Sequence, residues 1–407
     1  MTLAHSLAPL RHRRFAWYFA ARTVSHAGSA MVTVALAFAV LHITGSTVAL
    51  GEVIAARVAA TLVFLLVGGV TGDRLPRVVV IQTCHVISAL TQGLAAYLVI
   101  SGRATVPTIL ALEAINGAVT AFTMPALIGM VPQLVTTPEL QSANAVLALS
   151  KSTLDVVGPA VAGILVASVG PGWALAADAM TYALAVICLV PVRLSRSEPV
   201  GSNRSMVADL REGWAEFTER SWVWVVVLVF MVLNGIHLGA MGVIGPTVAT
   251  QRPELGSDGW GYVMSAIALG VVLGTLVMMR YRPRFPLRAG LLGVSLLAPT
   301  ILVLGVSPQT WLLVVLGVVA GLGVQIFEVS WTTSLQENIP QDRLSRVASY
   351  DSFGSFVAMP IGTLLYGYLG AHVQTRPLLA ISAGIFALVS LAALMLPSVR
   401  SLTRTSA

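Results

Sequence analysis

Twelve apolar runs of about twenty residues or more decide what this chain can fold into. They centre on residues 15–41, 47–70, 78–101, 105–128, 143–169, 173–192, 222–248, 259–279, 288–306, 310–332, 345–369 and 376–397. A bilayer core about 30 Å thick is crossed by about 20 helical residues. Only helices and closed barrels satisfy their own backbone hydrogen bonds there. Barrel strands are alternating segments of about ten residues, and these runs are continuous, so the barrel is excluded. Composition agrees: the 407 residues are 56% hydrophobic and 10% charged, too few charges to cover a water-facing surface. The expected fold class is all-α integral membrane, with twelve transmembrane helices.

The charges set the expected topology. Eighteen arginines fall at one side of the spans if the N-terminus is cytoplasmic: Arg11, Arg13 and Arg14, then Arg74 and Arg77, then Arg193 to Arg220, Arg280 to Arg288, Arg343 and Arg346, and Arg400 and Arg404. Three, Arg103, Arg252 and Arg376, fall at the other. An excess of basic residues marks the cytoplasmic loops, so both termini are expected in the cytoplasm. The formal net charge of +7 is therefore a topology signal and calls for no nucleic acid. Lys151 is the one lysine among 24 basic residues, an arginine bias typical of GC-rich bacterial genomes. The expected location is a bacterial inner (plasma) membrane. The basic start runs into a full-length span with no processing site after it, so no cleavable signal peptide is expected. Cys84 and Cys188 lie inside apolar runs and read as packing residues.

The longest loop divides the chain into an N-terminal six-helix half (1–192), a cytoplasmic linker (193–221) and a C-terminal six-helix half (222–407). In the linker Met206, Val207, Leu210, Trp214 and Phe217 recur at helical spacing between charged residues. That pattern predicts an amphipathic helix on the membrane surface, as a tether or as a partner-binding element. Residues 117–140 align without a gap to 321–344, pairing Gly117 with Gly321 and Leu140 with Leu344; beyond them Pro159 falls opposite Pro360. Two duplicated six-helix halves with a substrate site near the midplane form a known transporter architecture.

The stretch Gly69, Gly72, Asp73, Arg74 and Arg77, after span two, resembles the loop signature of the major facilitator superfamily. Pro76 stands where the signature has glycine, and Val78 replaces its last basic residue. Gly158, Pro159 and Gly163 in span five resemble the Gly-Pro core of drug/proton antiporters. Gly28-Ser29, Thr44-Gly45-Ser46, Met124-Pro125-Ala126, Val131-Pro132, Ser142 to Ala145, Asp178 and Leu210 to Trp214 are similar to the subgroup that holds macrolide efflux pumps and the enterobactin exporter. The resemblance implies two pseudo-symmetric halves and a gating latch in which Asp73 reaches the start of span eleven. Physically, the glycines would allow a sharp turn between spans. Asp73 at a helix N-terminus would be favoured by the dipole, and Arg74 and Arg77 would grip a carboxylate or phosphate. Pro159 removes a backbone hydrogen bond, which gives either a bend that seals the outer side or an ordinary packing kink.

Ionisable groups inside a membrane are costly and read as functional by default. Lys151 and Asp155 are i and i+4, on one helix face; they are a proton-exchanging pair or a static ion pair. Glu113, Glu328 and Asp351 are the other proton-coupling candidates. Arg57 is placed to pair with Glu113, and Arg22 lies by count near the depth of Asp351 and Glu328. Asp178 is explained by helix capping as well as by function, and His26 reads as a packing histidine. Phe122, Met124, Asn234, His237 and Phe327 are candidates for an apolar substrate cavity, with helix packing or lipid contact as the alternative.

No catalytic constellation, metal-ligand spacing or ATP-binding P-loop occurs. With no cofactor and no ATP, the proton gradient is the expected energy source. The sequence thus predicts a monomeric, proton-coupled exporter of small amphipathic molecules (drug, macrolide-like antibiotic or siderophore) in a lipid bilayer. A proton-coupled importer, or a sensor or scaffold of the same fold, is the alternative.

Overall fold

A computed structural model describes residues 8–74, 76–136, 139–192, 214, 218–281, 283–307, 309–339 and 341–403. Among them, twelve helices are long and apolar enough to cross a membrane, as the apolar runs require. The first six are α1 (Arg13–Thr44), α2 (Thr47–Arg74), α3 (Arg77–Ile100), α4 (Val106–Met130), α5 (Leu140–Val169) and α6 (Pro171–Leu189). The second six are α7 (Ser221–Gln251), α8 (Gly256–Arg280), α9 (Pro286–Val306), α10 (Thr310–Asn338), α11 (Gln341–Phe356 and Ala358–His372) and α12 (Thr375–Met395). The chain divides into two compact units, Met1–Gly201 and Ser202–Ala407. The expected amphipathic helix lies outside the described residues, apart from Trp214, whose ring meets Tyr350 edge-on at 5.6 Å.

The two units pair their helices alike. α2 packs on α4, α1 on α5 and α3 on α6; in the second unit α8 packs on α10, α7 on α11 and α9 on α12. Lipid supplies no hydrophobic drive between helices, so close backbone approach at small residues has to hold them. A Cβ on Gly117 would overlap the Arg57 carbonyl oxygen between α2 and α4. One on Gly321 would overlap the Ile267 carbonyl oxygen between α8 and α10. The glycine pair visible in the sequence repeat is thus the tight seam of each unit. In the first unit Phe15, Tyr18, Ile81, Met130, Leu147 and Leu189 close one end of the bundle into an apolar plug.

Prolines explain three departures from straight spans. α9 breaks at Leu296 and α11 at Val357, each three residues before a proline (Pro299, Pro360) whose ring crowds the preceding turn. α7 widens into a π-helix over Leu238–Ile244, just ahead of Pro246, whose missing N–H the wider turn accommodates. α5, by contrast, runs through Pro159 as one helix.

The signature stretch is more helical than the sequence suggests. α2 continues through Gly69 and Gly72 to Arg74, and only residues 75 and 76 separate it from α3. Asp73 therefore lies in the last turn of α2 and does not head a helix of its own, so the dipole argument fails for that placement. The glycines sit in the helix, not in the turn. The side chains of Asp73 and Arg74 lie outside the described residues; Arg77 opens α3.

Candidate functional site

Within the first unit, α1 to α6 line a partly open polar cavity of about 300 Å³. Its wall carries Arg22 and His26 from α1, Arg57 from α2, His85 from α3, Met124 from α4, Lys151 from α5 and Tyr182 from α6. Its centre of charge is a triad. Asp155 meets Lys151 Nζ through Oδ2 at 2.6 Å and His26 Nε2 through Oδ1 at 2.6 Å. The helical period places Lys151 and Asp155 together; tertiary packing brings in His26. A Cβ on Gly158, one turn past Asp155, would stand 2.5 Å from the Ala30 Cβ, one turn past His26. The bare backbone of Gly158 therefore lets α5 approach α1 closely enough for the His26 contact. Gly163 is also buried.

His26 is thus not the packing histidine the sequence suggests. It is a member of an ionisable triad, as the general cost of polar groups in lipid should have signalled. Hydroxyl pairs flank the triad: Thr23 with Ser150 at 2.9 Å, and Ser29 with Tyr182 at 2.9 Å.

A second charged cluster lies between α2, α3, α4 and α6. Arg57 Nη1 donates to Glu113 Oε2 at 3.0 Å, and Gln92 Nε2 donates to Glu113 Oε1 at 3.4 Å. Glu113 is 0% exposed. Asp178, also 0% exposed, lies within electrostatic reach of Arg57 and Glu113. It sits two turns into α6, whose N-cap is Gly170, so capping does not explain it. Neither of its carboxyl oxygens has a hydrogen-bond partner among the described residues. Arg22 donates to the Tyr18 hydroxyl at 3.4 Å. Outside the membrane, His12 Nε2 meets Glu139 at 2.9 Å and ties the starts of α1 and α5. Hydrogen bonds from Thr136, then from His12, hold the Glu139 carboxyl below its ordinary range.

The remaining candidates fall apart by position. Met124 faces the polar cavity. Phe122 does not: it packs near Phe64 (centroids 6.2 Å) in an apolar groove between α2, α3 and α4. In the second unit Phe327 is buried and stacks on Phe230 at 3.9 Å, so it packs α10 on α7. Asn234 Nδ2 donates to the Ser355 carbonyl at 3.0 Å. His237 ends the regular part of α7 ahead of the π turn, and its Nδ1 is buried without a partner among the described residues. Asp351 accepts from Trp331 Nε1 at 2.9 Å and from Ser355 Oγ at 3.3 Å. Glu328 is exposed and within electrostatic range of Asp351.

Twelve apolar helices in two alike units, with ionisable groups gathered around a polar cavity in the first, define a polytopic membrane transporter. The chain belongs to the transmembrane secretion effector family, which matches residues 4–406. It is similar to the multidrug efflux pump Tap of Mycolicibacterium fortuitum, 28% identical over 95% of this chain and 96% of that protein. It is also similar to the enterobactin exporter EntS of Escherichia coli O1:K1 / APEC, 26% identical over 95% of this chain and 91% of that protein. The crystal structure of the nucleoside transporter NupG shares the fold, with a TM-score of 0.74 at 16% identity over 94% of this chain and 98% of that one. The protein is a multi-pass major facilitator transporter and not an enzyme.

Proposed function

We propose that this transporter is a proton-coupled exporter of small amphipathic molecules in the bacterial inner membrane. It works as a monomer by alternating access, with both termini in the cytoplasm and no ATP or other cofactor. The observation that carries the reading is the His26–Asp155–Lys151 triad at the polar cavity. A carboxylate shared by two proton-exchanging bases can take up or release one proton as its solvation changes. The likeness to a multidrug efflux pump and an enterobactin exporter supports export of a drug or siderophore. Asp73, Arg74 and Arg77 are the latch in this reading, with Gly69 and Gly72 behind them. Gly158 sets the α1–α5 spacing on which the triad depends.

The test is dye and drug accumulation in a bacterial host stripped of its own pumps. Wild type should lower accumulation several-fold, an uncoupler should abolish the effect, and Asp155→Asn at matched expression should behave like the uncoupled cells. Wild-type behaviour of Asp155→Asn would move coupling away from α5, to Glu113, Glu328 or Asp351. Substrate accumulation raised by the protein would overturn export.

A further inference from the structure

Among the described residues, the cavity wall is lined by three cations and by no carboxylate. Arg22, Arg57 and Lys151 face it, together with the imidazoles of His26 and His85. Two of the cations have their counter-ions beside them: Arg57 has Glu113 at 3.0 Å and Lys151 has Asp155 at 2.6 Å. Arg22 has no acidic partner among the described residues. Its one hydrogen bond reaches the Tyr18 hydroxyl at 3.4 Å, and that hydroxyl already donates to the Leu127 carbonyl at 2.8 Å. A guanidinium presents five donors, and most of those of Arg22 are left for a ligand. Asp155 is already paired with two bases, His26 and Lys151, and does not line the cavity. Glu113 and Asp178 lie behind Arg57 and do not line the wall.

We propose that this cavity takes the anionic end of the substrate, a carboxylate or acidic phenolate, with Arg22 as its counter-ion. The inference rests on the transporter reading and narrows it to organic acids. A guanidinium matches a carboxylate with two parallel hydrogen bonds, and it keeps its charge when buried. Thr23 and Ser150, hydrogen-bonded to each other at 2.9 Å, lie on the same wall and can turn their hydroxyls to a phenol or amide on the same ligand. Volume sets the size of that end. A cavity of about 150 Å³ takes a benzene ring, so this one, at about 300 Å³, has room for an aromatic acid ring with its substituents. A larger substrate would place only its acidic end here.

The test compares three ring probes of one size on the purified transporter in nanodiscs by equilibrium dialysis: salicylate, neutral salicylamide and cationic benzylamine. Salicylate should bind at least ten-fold more tightly than either of the others. Arg22→Gln should erase that preference, and Arg22→Lys should keep part of it. The wild-type ranking needs no variant, so it stands as a test even if Arg22→Gln fails to fold. Equal or tighter binding of the amine or the amide, binding of none of the three, or a salicylate preference unchanged in a folded Arg22→Gln overturns the proposal. Salicylate preference without any effect on cell accumulation would leave this inference and sink the exporter reading. Export with a preference for cations would do the reverse.

Discussion

Glu113 is held in the first unit with no exposed surface, by the Arg57 guanidinium and, more weakly, the Gln92 amide. Its partner Arg57 is partly exposed toward the cavity, so each side chain has an uneven stake in the pair. Removing one member of a buried pair strands the other, at a cost of about 3–5 kcal/mol. Arg57→Leu should therefore lower the thermal unfolding temperature in detergent strongly. Arg57→Leu combined with Glu113→Leu should recover most of the loss, because the stranded charge is gone. Equal damage in the single and double variants would show that Arg57 acts through the neighbouring Asp178 instead. The residues show what a sequence can and cannot give. Lys151 and Asp155 are legible because i,i+4 geometry is local. His26 joins them from 129 positions away, and no periodicity carries that distance. Arg57 and Glu113 are paired from matching depth on neighbouring spans, a weaker signal that the packing of α2 on α4 makes concrete. Asp178 misleads because counting residues from a span end says nothing of what surrounds it.

Helix pairing depends on where a side chain is missing. Gly117 and Gly321 are matched in the sequence repeat, and in each unit the match marks where one helix lies directly on a neighbour's carbonyl. Gly384 has nothing within 4 Å of a Cβ and serves as the contrast. Gly117→Ala and Gly321→Ala should each lose about 1–3 kcal/mol, the usual cost of overpacking, read as a clear fall in detergent unfolding temperature. Gly384→Ala should be neutral or slightly stabilising, since alanine is the better helix former. If all three behave alike, the close approaches are not what holds α2 to α4 and α8 to α10. The elements also show why proline is read imperfectly from sequence. Pro159, Pro299 and Pro360 all lie within spans, yet only the last two coincide with breaks. The missing hydrogen bond is common to all three; whether the helix breaks depends on neighbours that sequence does not list. The two-residue junction between α2 and α3 has the same lesson: the signature reads as a loop because it is charged and glycine-rich, but charge at a membrane edge is compatible with helix.

Orientation is a property of the whole chain, and it rests on charge. Nine crossings, α4 to α12, separate Ser101 after α3 from Ser401 after α12. An odd number of crossings puts these two exposed serines on opposite sides of the membrane. The arginines then choose the side. Loops rich in basic residues stay cytoplasmic because translocating them is disfavoured. Arg400 and Arg404 flank Ser401, whereas the turn at Ser101 has Arg103 alone. In a background with Cys84 and Cys188 replaced by serine, a membrane-impermeant maleimide applied to spheroplasts should label Ser101→Cys. Ser401→Cys should be labelled only after lysis. The opposite pattern would place both termini outside and put the Asp73 signature on the outer face, where it could not serve as an inner latch. Labelling of both positions in sealed cells would mean an even number of crossings between them, and one of the nine helices would have to leave the membrane. The least apolar span is α11, whose membrane-crossing part, Tyr350–His372, has the lowest hydropathy of the twelve and is broken at Val357. That helix carries Asp351, so the same experiment with a cysteine at exposed Gln374, just past its end, decides whether this acid spans the bilayer. Labelling from outside is the expected result.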